Sequence, residues 1–191
     1  MSRFDISELY RLLNNLIQFA RVDSLVDFPE GKRAVCITAD GLKTKPLPIG
    51  TERAGDDQTS WLPSMGEQVL MFSPGGITEQ AVIGPSLWSA DHPAPGNDPN
   101  EPVMSFTDGA RISYNKQSHT LSAILPAGAT VAIVATGGLS FDGDLSVTGN
   151  ITATGDVSDG KRSMQADRAI FNGHTHTGDS GGNTSPPKQN Q

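Results

Sequence analysis

Apolar positions near the start of the chain recur at helical spacing: Ile6, Leu9, Leu13, Leu16, Ile17 and Ala20, with Leu12 and Phe19 widening the stripe. Polar Arg11, Asn14, Asn15 and Gln18 lie off that stripe. Asp5 reads as an N-cap, and Glu8 three residues later completes a capping-box-like pair. The pattern predicts a helix over residues 1–21. So wide an apolar stripe needs a cover, either from its own domain or from a partner.

From residue 21 to about residue 88 the period shortens. Residues 21–26, 33–39, 68–73 and 79–83 are β-branched or alternating, and Gly31, Gly41, Gly50, Gly66 and the Pro74-Gly75-Gly76 turn punctuate them. Several short strands at that spacing predict a small barrel or sandwich. Residues 89–102 hold Pro93, Pro95, Pro99 and Pro102 among Asp, Asn and Gly, which excludes helix and central strand and reads as a linker. Alternation returns over 103–106, 110–115, 120–125, 130–135 and 139–141.

An internal repeat follows. Gly143-Asp-Leu-Ser-Val-Thr is succeeded by Gly149-Asn-Ile-Thr-Ala-Thr and then Gly155-Asp-Val-Ser, a period of six residues. Leu145, Ile151 and Val157 are the inward candidates, with a turn at each Gly. A unit this short has nothing of its own to bury an aliphatic side chain against, so stacking or intertwining must do it. A β-helix or a trimeric β-prism meets that demand better than an ordinary sandwich hairpin. Residues 171–191 are rich in Gly, Ser, Thr and Pro and read as a tail.

Composition narrows the classes. The chain has 191 residues, 36% hydrophobic, 6% aromatic and 18% charged, with 21 Gly and 13 Pro. That is lean for a self-sufficient core, and too poorly charged for a disordered acidic protein. It suits extended β structure in which much of each strand faces water, or one that completes its core with other chains. The single cysteine, Cys36, permits neither an intrachain disulfide nor a cysteine zinc cluster, and its apolar neighbours make it a small core residue. No apolar run reaches membrane-spanning length, and no signal peptide is recognisable, so the chain is expected to be made in the cytoplasm. A net charge of -7 argues against nucleic acid as partner.

Candidate chemistry is confined to one place. His174 and His176 stand two apart. On an extended strand, side chains at i and i+2 project to the same side, with Cα atoms about 6.6–6.8 Å apart. One chain offers only two such ligands. If three chains meet on an axis, six neutral imidazole nitrogens suit octahedral iron, cobalt or nickel better than zinc. The plainer alternative is two solvated histidines in a polar tail. His92, in the proline segment, and His119, expected in a strand, have no companion ligand. Phosphate-loop, nucleophile-elbow and H-E-x-x-H motifs are absent. The carboxylates Asp40, Asp56, Asp57, Asp108 and Asp142 are scattered in turns.

The order of these parts resembles the central spike of contractile phage tails, the baseplate assembly protein V group. It is also similar to the spike of R-type bacteriocins (pyocins) and, more distantly, to the valine-glycine-repeat tip of type VI secretion. In the barrel the resemblance is carried by Trp61-Leu62-Pro63, Gly66-Glu67-Gln68-Val69, Pro74-Gly75-Gly76 and Ala81-Val82-Ile83-Gly84. Near the end it is carried by Phe171-Asn-Gly-His174-Thr-His176, Ser180-Gly181-Gly182 and Pro186-Pro187.

The resemblance implies a mainly β protein. Residues 1–21 would be a helix, 22–90 an oligonucleotide/oligosaccharide-binding (OB) barrel and 91–102 a linker. Residues 103–171 would form an intertwined trimeric β-helix or β-prism spike, and 172–191 a metal-binding apex with a folded-back tail. It implies a homotrimer with one iron held by His174 and His176 of each chain. The implied role is structural rather than enzymatic: capping the tube or baseplate hub and piercing the target outer membrane on sheath contraction, in a phage or a phage-tail-like particle. The rival classes are a metal-dependent hydrolase using the two histidines and a carbohydrate- or nucleic-acid-binding module using the barrel.

Overall fold

The computed structural model describes residues 3–189, which divide into two units, residues up to Thr130 and residues from Val131 onward. Met1, Ser2 and the last two positions of the expected tail lie outside the described residues. In the first unit, helix α1 (Arg3–Asn15) is followed by β1 (Ile17–Phe28), β2 (Gly31–Thr38), β3 (Leu47–Pro48), β4 (Gln68–Phe72) and β5 (Val82–Leu87). Two short 3-10 turns, Pro74–Gly76 and Thr78–Gln80, link the last two strands.

The helix therefore stops at Asn15 rather than at residue 21. Leu16, Ile17 and Ala20 satisfy helical spacing, but Ile17-Gln-Phe-Ala-Arg-Val also alternates with period two, and strand pairing decides between them. Ile17 lies opposite Phe72, Phe19 opposite Leu70 and Ala20 opposite both Val69 and Thr38. Ala20 and Val22 thereby enter the core, while Ile17 and Phe19 face outward. Asp5 sits inside the first helical turn rather than ahead of it, where a carboxylate still complements the helix dipole. Glu8 pairs with the Arg11 guanidinium at 2.6 and 2.8 Å, which holds its carboxyl below the usual range.

The sheet order is β3-β2-β1-β4-β5, antiparallel throughout, with a register shift between Val22 and Ser24 that bends the long first strand. The two edges then meet. Ile49 bridges Ile83 in parallel, and the Gly50 N–H donates to the Ile83 carbonyl at 2.7 Å. A Cβ on Gly50 would stand 3.0 Å from that carbonyl, so a glycine lets the edges come this close. The result is a small closed barrel of OB type. Its interior is Ala20, Val22, Ala34, Cys36, Leu47, Val69, Met71, Ala81 and Ile83, with Leu25 and Ile49 packed against them.

Gly76 fastens the helix to the barrel. Its φ is +73°, and a Cβ there would lie 2.2 Å from the Leu12 carbonyl oxygen. The Asn15 amide also donates to the Gly76 carbonyl at 3.4 Å. We expect Gly76→Ala to destabilise the first unit and to detach α1, with loss of helical circular dichroism ahead of barrel melting. Backbone strain alone costs roughly 1–3 kcal/mol, and the clash adds to it. Gly75, at φ +62° with open space around it, is the control: Gly75→Ala carries the strain without the clash. Equal melting shifts for the two variants would contradict the docking role.

The proline segment is not a free linker. Arg111 donates to the Pro95 carbonyl at 3.1 Å and to Glu101 at 3.3 Å, and Lys116 reaches the carbonyls of Pro99 and Asn100. Asp91 pairs with Arg21 at 3.4 Å. The segment is strapped to the barrel at one end and to a three-stranded antiparallel sheet at the other. That sheet comprises β6 (Val103–Ser105), β7 (Arg111–Asn115) and β8 (Thr120–Ile124), in order β6-β7-β8. Its Phe106 stacks on Trp61 of the barrel, ring centroids 5.7 Å apart and planes 4° from parallel. The unit boundary consequently falls after Thr130.

The second unit contrasts with the first. No residue from 131 to 189 is buried. Val131, Ile133, Leu139, Phe141, Leu145 and Ile151 are each about two-thirds or more exposed, and Val134 is 92% exposed. The stretches 130–135 and 139–141, expected as strands, pair with nothing among the described residues. They lack a neighbour to supply the ladder, not the alternating pattern. One helix interrupts the expected β region: α2 (Met164–Gly173), N-capped by the Ser163 hydroxyl, which accepts from the Ala166 N–H at 3.2 Å.

Candidate metal site

The two histidines sit where α2 ends and the chain turns back. His174 is the C-cap of α2, with extended backbone. Its Nδ1 lies 2.6 Å from the Phe171 carbonyl oxygen, which only accepts. Nδ1 must therefore carry the proton, and in the neutral ring Nε2 keeps its lone pair for a ligand. The Phe171 ring leans on the same imidazole, centroids 5.4 Å apart. His176 is 5.0 Å from His174, ring to ring, with planes 87° apart. The i, i+2 pair is thus adjacent, but the rings stand edge to face rather than parallel.

A return segment holds the second histidine. The His176 N–H donates to the Thr184 hydroxyl at 2.9 Å, and the Thr184 N–H donates to the His176 carbonyl at 2.8 Å. Thr177 bridges Asn183, and Gly178 and Gly182 close the turn at 2.6 Å. Sequence composition gave no hint that Thr184 would touch the pair.

Upstream, the Asp156 carboxylate accepts from the N–H groups of Val157 and Gln165. A hydrogen bond from Ser163, helped by those two amides, holds it below the ordinary aspartate range. That loop is fastened to α2, because the Met164 N–H also donates to the Val157 carbonyl at 2.8 Å. The helix that presents His174 is therefore anchored at its start.

The pair could contribute two nitrogen ligands to a metal ion. Two imidazoles are the wrong number for a closed site. Among the described residues no group of three or more His, Cys, Asp and Glu is placed to hold an ion. His92 and His119 remain apart: His92 lies beside Gly66 in the first unit, and His119, expected in a strand, occupies the β7–β8 turn at φ +54°. Cys36 is fully buried, and burial, followed by the Asp23 charge, pushes its thiol up to about 11. It is an inert core residue.

The barrel carries a cleft of about 800 Å³ between Gly50, Glu52, Trp61, Pro85 and Met104. Its lining includes Glu52 and neither lysine nor arginine, a poor match for a phosphate backbone.

Fold and site together define a class: an OB barrel with an N-terminal helix, continued by a glycine-punctuated repeat without an interior and ended by an imidazole pair. The comparisons bear on the barrel and on the chain's overall likeness, not on the imidazole pair. Residues 26–88 match the family described as the type VI secretion system/phage-baseplate injector OB domain, which covers β2 to β5 and the end of β1. The chain is also 34% identical over 134 residues to the spike protein of Escherichia phage P2, an alignment covering 70% of this chain and 61% of that relative. The chain thus carries the phage-baseplate injector OB domain over residues 26–88 and is similar to a phage spike protein over less than two thirds of that relative's length.

Proposed function

We propose that three copies of this chain form the membrane-piercing spike at the tip of a contractile tail. The barrels form a collar on the tube or baseplate hub, residues 131–163 intertwine into a β-prism, and beyond α2 His174 and His176 of the three chains hold one iron ion at the apex. The role is structural rather than catalytic, and the protein works in a virion or a phage-tail-like particle. On sheath contraction the point meets the target outer membrane.

One observation carries this reading: residues 131–189 bury nothing within one chain although they hold a row of large aliphatic side chains. Apolar surface of that extent, spaced every six residues at Leu145, Ile151 and Val157, calls for burial against copies of itself. A heterologous partner would not share the six-residue period, whereas a second and third copy do.

In such an assembly each chain's own residues do definable work. Phe171 fixes the His174 tautomer through its carbonyl, and Thr184 holds the His176 backbone. When bound, the ion ties three chain ends together, and tight sites of this kind contribute on the order of 10 kcal/mol to folding. A hydrolase reading is weaker, since one chain lacks a third ligand among the described residues.

The test combines solution mass with elemental analysis on protein purified without an affinity tag. We expect a species of about 60 kDa, three times the 20.1 kDa chain, carrying one iron atom. A folded monomer at micromolar concentration overturns the trimer. One metal atom per chain overturns the shared site.

A further inference from the structure

We propose that Thr184 is a positioning residue for the imidazole pair, and that residues 177–184 form a latch that sets His176 before any ion arrives. The inference deepens the apex reading above and rests on it.

The two histidines are held from opposite sides of the chain. His174 is fixed from the N-terminal side, by the last turn of α2 and the Phe171 carbonyl. His176 has no such support upstream. Both of its backbone polar groups are taken by one residue eight positions later, the N–H by the Thr184 hydroxyl and the carbonyl by the Thr184 N–H. The Thr177–Asn183 bridge and the Gly178–Gly182 closure complete a narrow return hairpin. Gly181 adopts φ +77°, a conformation that only glycine adopts cheaply, at the point where the chain reverses.

This matters because the segment has no core. His174 and His176 are both solvent-accessible; the second ring meets the first edge to face, and the hydrogen bonds to Thr184 fix the backbone that carries it. A chain end free to rotate would lose that freedom on binding, and the loss weakens affinity. Pinning His176 to Thr184 removes it in advance. Groups behind a ligand that orient it typically change metal affinity by about 10- to 100-fold when lost. The hydroxyl is the separable half of the latch: valine keeps the shape and the backbone N–H of Thr184, and loses only the acceptor for His176.

The experiment compares full-length wild type, Thr184→Val and Thr184→Ser. Fe²⁺ affinity is read anaerobically against a chromophoric chelator. Hydrogen exchange of the peptide containing His176 is read by mass spectrometry on metal-free protein. Solution mass checks that all three share one assembly state. We expect Thr184→Val to bind Fe²⁺ at least about 10-fold more weakly and to exchange faster at that peptide, while Thr184→Ser behaves as wild type. Equal affinity and exchange for valine and wild type overturn the latch, as does weaker binding without faster exchange. If wild type takes up no Fe²⁺, the metal reading fails, and the metal-free exchange comparison still decides whether Thr184 sets His176.

Discussion

His174→Ala combined with His176→Ala is expected to take the metal content from one atom per trimer to none while the trimer survives. The two rings are the only imidazoles at this end of the chain, so removing both leaves no nitrogen ligand. Their removal touches none of the aliphatic positions between Val131 and Val157. Solution mass should therefore be unchanged, and melting should shift only through loss of bound ion. The local consequence should be larger. Without the ion the return hairpin is held by a few exposed hydrogen bonds, and protease should cut near residues 173–182 in the variant first. Metal retained by the double variant would move the site elsewhere. Dissociation of the trimer would mean that the ion, and not the repeat, holds the chains together.

Ile151→Asp should be far more damaging than Thr152→Asp. Both side chains are exposed in the single chain, Ile151 at 72%. In the proposed β-prism, alternation would send them to opposite faces. If the repeat turns Ile151 onto a three-fold axis, aspartate there places three carboxylates together in an apolar interior and removes three buried aliphatic groups. The lost burial alone costs about 1.5–3 kcal/mol per chain, and desolvating an unpaired charge adds more. Thr152→Asp adds a charge in water and should stay within about 0.5 kcal/mol. Trimer melting followed by circular dichroism separates the two. Equal shifts would mean that residue 151 does not face inward.

The barrel was legible because each of its signals is local. Alternation in 33–39 and 68–73 and the turn at Pro74-Gly75-Gly76 lead directly to β2, β4 and the 3-10 turn between them. What sequence pattern misjudged was decided by partners distant in the chain. Residues 17–20 fit both periods, and only the pairing of Ile17 with Phe72 and Phe19 with Leu70 selects the strand. The proline segment reads as free because its anchors, Arg21, Arg111 and Lys116, lie outside it. Helix α2 did leave a trace: Ser163 precedes Met164, Gln165, Ala166, Arg168 and Ala169, a cap followed by strong helix formers. The strand rhythm of the preceding repeat masked it. At the imidazole pair the spacing of His174 and His176 was plain, whereas the role of Thr184 depends on a chain reversal at Gly181 that composition alone reads as a tail.

The absence of any interior in residues 131–189 bears on how such a molecule comes into being. The barrel buries its core within one chain and is free to form as soon as its residues leave the ribosome. The second unit has no such option. If copies of the chain cover its aliphatic row as proposed, the row stays wet until they meet, which would make that step dependent on concentration and expose the row to aggregation in the interval. Barrels that gather first would change the arithmetic, because a tethered encounter proceeds at an effective concentration of millimolar order. If three copies assemble as proposed, the barrels would serve as an internal chaperone, bringing three second units into register before any of them has a structure to protect.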